Sequence, residues 1–118
     1  MKKSSTTLIV FGVYLIGMGM GFLFTPNMVL GIFGIPATDE VWPYVVGALA
    51  LVLAFYYISA ARADLRAFAR WTVPARIGVF LAFVGFVVTG LVGPIMIMLG
   101  SVDLVGALWT RWALNAEA

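Results

Sequence analysis

"PIMIMLGSVDLVGALWTRWAL", residues 94 to 114, decides how this chain folds. A bilayer-crossing helix takes roughly 20 mostly apolar residues, and this stretch has that length. Yet it holds a carboxylate, Asp103, and closes on Arg111. Read as a span, it raises the number of membrane helices to four and brings both termini to one side.

Composition favours that reading. The chain has 118 residues, of which 64% are hydrophobic and 10% charged. A soluble domain carries about 25% charged residues. A short soluble chain buries only about two thirds of the surface its unfolded form exposes, so it could not hide this much apolar area. The bilayer is therefore the solvent for most of it, within one domain spanning residues 1–118.

Working back from the last run, three more appear, at about 7–24, 41–61 and 73–92. Gly93-Pro94 separates the third from the fourth, because proline disfavours helical geometry in the residue before it. The N-terminal "MKKSSTTLIVFGVYLIGMGMGFLF" resembles a signal peptide. Its apolar part is long and no A-x-A cleavage site follows, so it reads as a retained first span. "TPNMVLGIFGIPATDE", residues 25–40, reads as a short helix in the outer interface. Thr25 and Pro26 suit its start, and Gly34 and Pro36 its end.

Charge sets the orientation. Lys2, Lys3, Arg62, Arg66, Arg70, Arg76 and Arg111 all fall toward one side of a four-span arrangement. The link between the first and second runs carries only Asp39 and Glu40. By the positive-inside rule both termini are cytoplasmic. The expected fold is thus an all-α four-helix membrane bundle, N-in and C-in, in the cell membrane of a bacterium, its inner membrane. Trp42 marks the outer interface; Trp71, Trp109 and Trp112 mark the inner one.

The chain has no cysteine and no histidine. Disulfides, thiolate nucleophiles, His-ligated haem and Ser-His-Asp catalysis are excluded. Met18-x-Met20 and Met96-x-Met98 offer soft thioether ligands, but residues two apart on a helix point in nearly opposite directions. Methionine as apolar filler is the simpler reading, so no metal and no cofactor is expected. Nothing in the charge pattern calls for nucleic acid.

Three groups of candidate residues remain. Gly17 and Gly21 form a G-x-x-x-G pair, which lets a second backbone approach closely; Gly100 and Gly106 belong to a small-residue face of the fourth run. Arg62, Arg66 and Arg70 recur every four residues and read as a stripe for anionic lipid headgroups, or simply as orienting charge. Asp103 lies roughly 14 Å past the Gly93-Pro94 turn, near the middle of a core about 30 Å thick. Ionisable residues at such depth face the bundle interior. Tyr14 has a similar level and reads as its hydrogen-bond partner. Arg76 lies roughly 12 Å deeper, which makes a direct Asp103–Arg76 bridge doubtful and matches Arg76 to Tyr56, Tyr57 and Thr110. Asp103, Tyr14, Tyr57 and Arg76 form the expected polar track.

"FLFTPNMVLGIFGIP", "YYISAARAD", "RWTVPARIG" and "LGSVDLVGALWTRWAL" together resemble the small four-helix bacterial membrane proteins of the DoxX-like and BphX-like groups. The resemblance covers most of the chain. It implies an integral membrane protein, often an accessory to an oxidoreductase or of unknown role, with no agreed active site to carry over. Small drug-resistance exporters match in length and span count, but their essential carboxylate sits in the first helix, where this chain has none.

Two functions stand. The first is a non-enzymatic membrane accessory or scaffold, acting through helix-face contacts with itself or with a membrane protein partner. The alternative is a small transporter or binder of a lipophilic small molecule, built on Asp103 and Tyr14. An isomerase using Asp103 as acid and base is a third reading, and one isolated carboxylate is thin support for it.

Overall fold

The computed structural model describes residues 1–117 and is all-helical. Its elements are α1 (Lys3–Phe24), α2 (Pro26–Ile32), α3 (Trp42–Arg62), α4 (Arg66–Val88) and α5 (Met96–Glu117). Three of them, α1, α3 and α4, are long and apolar enough to cross a membrane. At 22 residues α5 has the same length but is less apolar. Ser101, Asp103, Thr110, Arg111 and Asn115 dilute it.

Helix ends explain where the chain turns. Three of them share one device, a residue in the left-handed region followed by two backbone bonds that satisfy the last carbonyls. After α2 the residue is Gly34, at φ 70°, and Ile35 N–H donates to Leu30 O at 2.9 Å. After α4 it is Gly90, at φ 80°, and Leu91 N–H donates to Phe86 O at 2.9 Å. After α3 it is Asp64, at φ 51°, and Leu65 N–H donates to Ala60 O at 3.0 Å. Aspartate tolerates this region better than most side chains.

The Asp64 turn corrects two expectations. It is so tight that α4 restarts at Arg66 rather than at 73, and Pro74 lies inside the helix rather than at its start. It also splits the expected arginine stripe. Arg62 ends α3, while Arg66 and Arg70 belong to α4, so the three share no helix face.

The long helices pack in the order α3–α1–α5–α4. The α1·α3 and α4·α5 contacts are the most extensive, α1·α5 joins the two pairs, and α1·α4 touches lightly. The Cα extents are 45 × 29 × 16 Å, so the helices make a flattened layer. The main core gathers Leu8, Phe11, Tyr57, Ala60, Ala61, Ala69, Val73, Ala107 and Leu114, all toward the end that carries both termini. That end is also tied by polar groups. Ser5 Oγ donates to Asp64 at 2.6 Å, and Ser4 Oγ and Arg66 Nε both donate to Glu117. The hydrogen bond from Ser5, then that from Lys2 N–H, holds the Asp64 carboxyl below its ordinary range. At the opposite end α2 lies against α1, burying Val29 and Leu30 on Phe22.

The glycines at the helix crossings differ from the expected pair. Gly17 faces open space, with nothing within 4 Å of where a Cβ would sit. Gly21 meets only Val29 of α2. The close crossing is between Gly19 of α1 and Gly47 of α3, where a Cβ on Gly47 would lie 2.8 Å from Gly19 O. Gly12 adds a second contact, with its Cβ position 2.8 Å from Ile58 Cγ1. Seven residues separate Gly12 and Gly19, so both lie on one helix face. Gly100 abuts Phe83 and Phe80, and Gly106 abuts Arg76 and Phe11.

Candidate functional site

Arg76 is the most demanding residue in the interior. It is 2% exposed, on the face of α4 that buries Ala69, Thr72 and Val73. Side chains on a helix lean toward its N-terminus, and Arg76 follows that lean back to Thr72. Its Nε donates to Thr72 O at 3.3 Å, and its Nη2 donates to Thr72 Oγ1 at 2.9 Å and to Thr110 Oγ1 at 2.7 Å.

These bonds belong to a chain across three helices. Thr110 of α5 and Thr7 of α1 are 2.7 Å apart, oxygen to oxygen. Thr7 Oγ1 donates to Ser4 O at 2.6 Å, and Thr72 Oγ1 donates to Ala69 O at 2.8 Å. A guanidinium only donates, and each hydroxyl has one proton. Thr7 uses its proton on Ser4 O, so Thr110 must be the donor to Thr7. The order is therefore Arg76 to Thr110 to Thr7 to the backbone of α1.

Aromatic rings complete the cage. The guanidinium carbon lies 4.8 Å from the Phe11 ring centre and 5.7 Å from that of Tyr57, close enough for attraction to their faces. Phe11 and Tyr57 are 5.1 Å apart, and Tyr57 meets Phe68 edge-on at 5.4 Å.

One group is left over. Nη1 of Arg76 is buried and has no hydrogen-bond partner. Among the described residues the one ion pair is Arg66–Glu117, so Arg76 faces no carboxylate at contact distance. A buried unpaired donor on a charged group costs on the order of 1–3 kcal/mol or more.

Nη1 lies beside Gly106, which also lines a groove. The groove has a volume of about 390 Å³ and runs between α1 and α5. Its lining includes Thr7, Phe11 and Tyr14 from α1, and Ser101, Gly106 and Trp109 from α5. Gly106 is the thin point, since a Cβ there would lie 3.0 Å from Nη1 and 3.2 Å from Phe11 Cδ1.

The expected track is only partly assembled. Arg76 and Tyr57 are in contact, and Tyr14 packs on Phe11 at 5.4 Å. Asp103 forms neither a hydrogen bond to Tyr14 nor an ion pair with Arg76 among the described residues. The Tyr14–Asp103 clip is thus replaced by the Arg76–Thr110–Thr7 chain. Thr7 and Thr72 carry no site signal in the sequence, because threonine in an apolar helix satisfies its own hydroxyl on a carbonyl one turn back.

Comparison of the chain with family models, curated proteins and solved structures finds no match.

Proposed function

We propose that the protein is a non-enzymatic membrane protein with four spans and cytoplasmic termini, and that it binds a lipophilic molecule in the groove between α1 and α5. The head of that molecule accepts a hydrogen bond from Arg76 Nη1. The observation that carries the reading is the unpaired, buried Nη1 behind Gly106 and Phe11. A mostly apolar groove with a few convergent polar groups is the usual form of such a site. The groove opens toward the bilayer, so the ligand enters sideways, and a turn of the Phe11 ring uncovers the nitrogen. The favoured head is an anion, because Arg76 has no carboxylate in contact.

The test uses cis-parinaric acid, a fluorescent fatty acid, with the full chain in mild detergent. The wild-type protein should bind it. Arg76→Met removes a charge-assisted bond of about 1.5–3 kcal/mol, so affinity should fall roughly ten-fold or more. Gly106→Ala should lose binding as well, by placing a methyl group between the groove and Nη1. Equal binding by all three proteins sinks the reading.

Four spans and their orientation have a separate support in the one-sided Lys and Arg pattern. Single cysteines at Ala63 and Ala116 should resist a membrane-impermeant maleimide added to intact cells, and one at Ala37 should react. The reverse pattern, or labelling at Ala37 and Ala116 together, rules the arrangement out.

A second reading keeps the accessory role through helix-face contacts. It is favoured by α4, in which no residue beyond Arg76 is buried. The side of that stretch turned away from α5, with Val79, Leu81, Phe86 and Val88 exposed, is open to lipid, to a second copy or to a membrane protein partner. A mild-detergent pull-down with lipid analysis separates a fixed protein partner from a bound small molecule.

A further inference from the structure

A second groove, of about 440 Å³, lies between α4 and α5 at the end that carries the termini. Its lining divides by chemistry. Val73, Pro74 and Ile77 of α4 and Leu114 of α5 are apolar, while Arg70, Arg111 and Asn115 are polar. Arg70 and Arg111 are both exposed, and neither takes part in the one ion pair of the described residues. The two unpaired cations therefore come from different helices and meet at one groove.

Depth makes the arrangement specific. Arg70 lies roughly 6 Å along α4 from its start, and Arg111 roughly 9 Å from the end of α5, at 1.5 Å per residue. Val73 and Ile77 continue the same groove into the apolar zone, while Leu114 lies about one turn outward of Arg111 and walls the groove at the charged level. Charge sits at the level of a headgroup, and a greasy channel begins beneath it. Free inorganic phosphate would use only the first part.

We infer that this groove is a binding site for one anionic phospholipid. Its phosphate bridges Arg70 and Arg111, Asn115 hydrogen-bonds the headgroup, and the first part of an acyl chain lies on Val73 and Ile77. Basic pockets between membrane helices on the cytoplasmic side hold anionic headgroups in this way. The site differs from a stripe of Arg62, Arg66 and Arg70, since Arg66 is engaged by Glu117 and Arg62 lies on α3. It is also separate from the α1–α5 groove and does not depend on a ligand there.

Intact-complex mass spectrometry of the full chain in mild detergent tests it, with dioleoyl-phosphatidylglycerol, dioleoyl-phosphatidylcholine and ammonium phosphate as separate probes. Phosphatidylglycerol should bind with one strong site. Phosphatidylcholine and phosphate should not reproduce it. Arg70→Gln with Arg111→Gln should weaken phosphatidylglycerol roughly 30-fold, the equivalent of about 1 kcal/mol per arginine at an anionic surface. Arg62→Gln should leave it unchanged. Circular dichroism of each variant confirms that the helices remain. Three results overturn the proposal: equal binding of phosphatidylcholine, full competition by phosphate alone, or an Arg62→Gln loss as large as that of the double variant.

Discussion

Replacing Gly47 with alanine is expected to weaken the protein by about 3 kcal/mol, near the upper end of overpacking costs. The reason is what the new methyl group meets. Its position lies 2.8 Å from Gly19 O and 3.0 Å from Leu23 N, both backbone atoms of α1. A crowded side chain can change rotamer, whereas a backbone carbonyl moves only with its helix. The α1–α3 contact, the most extensive in the fold, would have to open. Gly19→Ala should behave alike, since its methyl would sit 2.9 Å from Gly47 O. Gly17→Leu is the internal control. Nothing lies within 4 Å of that Cβ, so the change should stay within about 0.5 kcal/mol, as for an ordinary surface site. Titration with a denaturing detergent, followed by circular dichroism, measures all three. If Gly17→Leu proves as damaging as Gly47→Ala, the helix face is wrongly placed, and Gly17–Gly21 is the true contact.

That comparison also shows what the sequence can and cannot reveal. Apolar runs marked α1 and α3 to within a few residues, because hydropathy depends on composition alone. The partner of a helix face is a different kind of information. Gly17 and Gly21 have the familiar spacing of four, yet the crossing uses Gly12 and Gly19, which pair with residues of α3 more than twenty-five positions away. The start of α4 was hidden by Pro74, which reads as a first-turn residue but is accommodated inside the helix. At the polar end, Lys3 to Thr6 read as a tail before the first span. They continue α1 because Ser4 and Ser5 find acceptors in Glu117 and Asp64, more than fifty residues away.

The site shows the same division. Helical rise alone matched Arg76 in depth to Thr110, and the two are hydrogen-bonded at 2.7 Å. Asp103 stood out for its charge in an apolar run, but depth similarity did not give it Tyr14 as a partner. An interior polar contact needs facing directions as well as equal levels. Arg76 gains both by folding back along α4, where the hydroxyls of Thr72 on its own helix and of Thr110 on α5 accept from it.

Thr110→Val is expected to cost about 2 kcal/mol, and the size of the loss should depend on Arg76. Valine keeps the shape of threonine but removes the acceptor of one Arg76 Nη2 proton. A second guanidinium proton then joins Nη1 as an unpaired donor in the apolar interior, a loss of about 1.5–3 kcal/mol for a charged group. Thr7→Val should cost less, because the Thr110 hydroxyl can turn to a carbonyl one turn back on α5. Arg76→Met is the informative partner. Methionine is unbranched and apolar, and it fills irregular space. It removes a desolvated charge that already lacks a partner, so stability should hold or rise, as when apolar groups replace a buried ionic cluster. With methionine at 76 there is no orphaned proton, and Thr110→Val should become nearly neutral. The double-mutant cycle should therefore return a coupling of about 1.5 kcal/mol or more between positions 76 and 110. If Thr110→Val costs the same with methionine at 76, shape and not the hydrogen bond explains it. If Arg76→Met itself loses more than about 2 kcal/mol, the guanidinium is a structural tie. A stable Arg76→Met protein that no longer binds cis-parinaric acid leads the other way: the charge is then kept in the interior at a cost to stability, and what offsets that cost is the ligand.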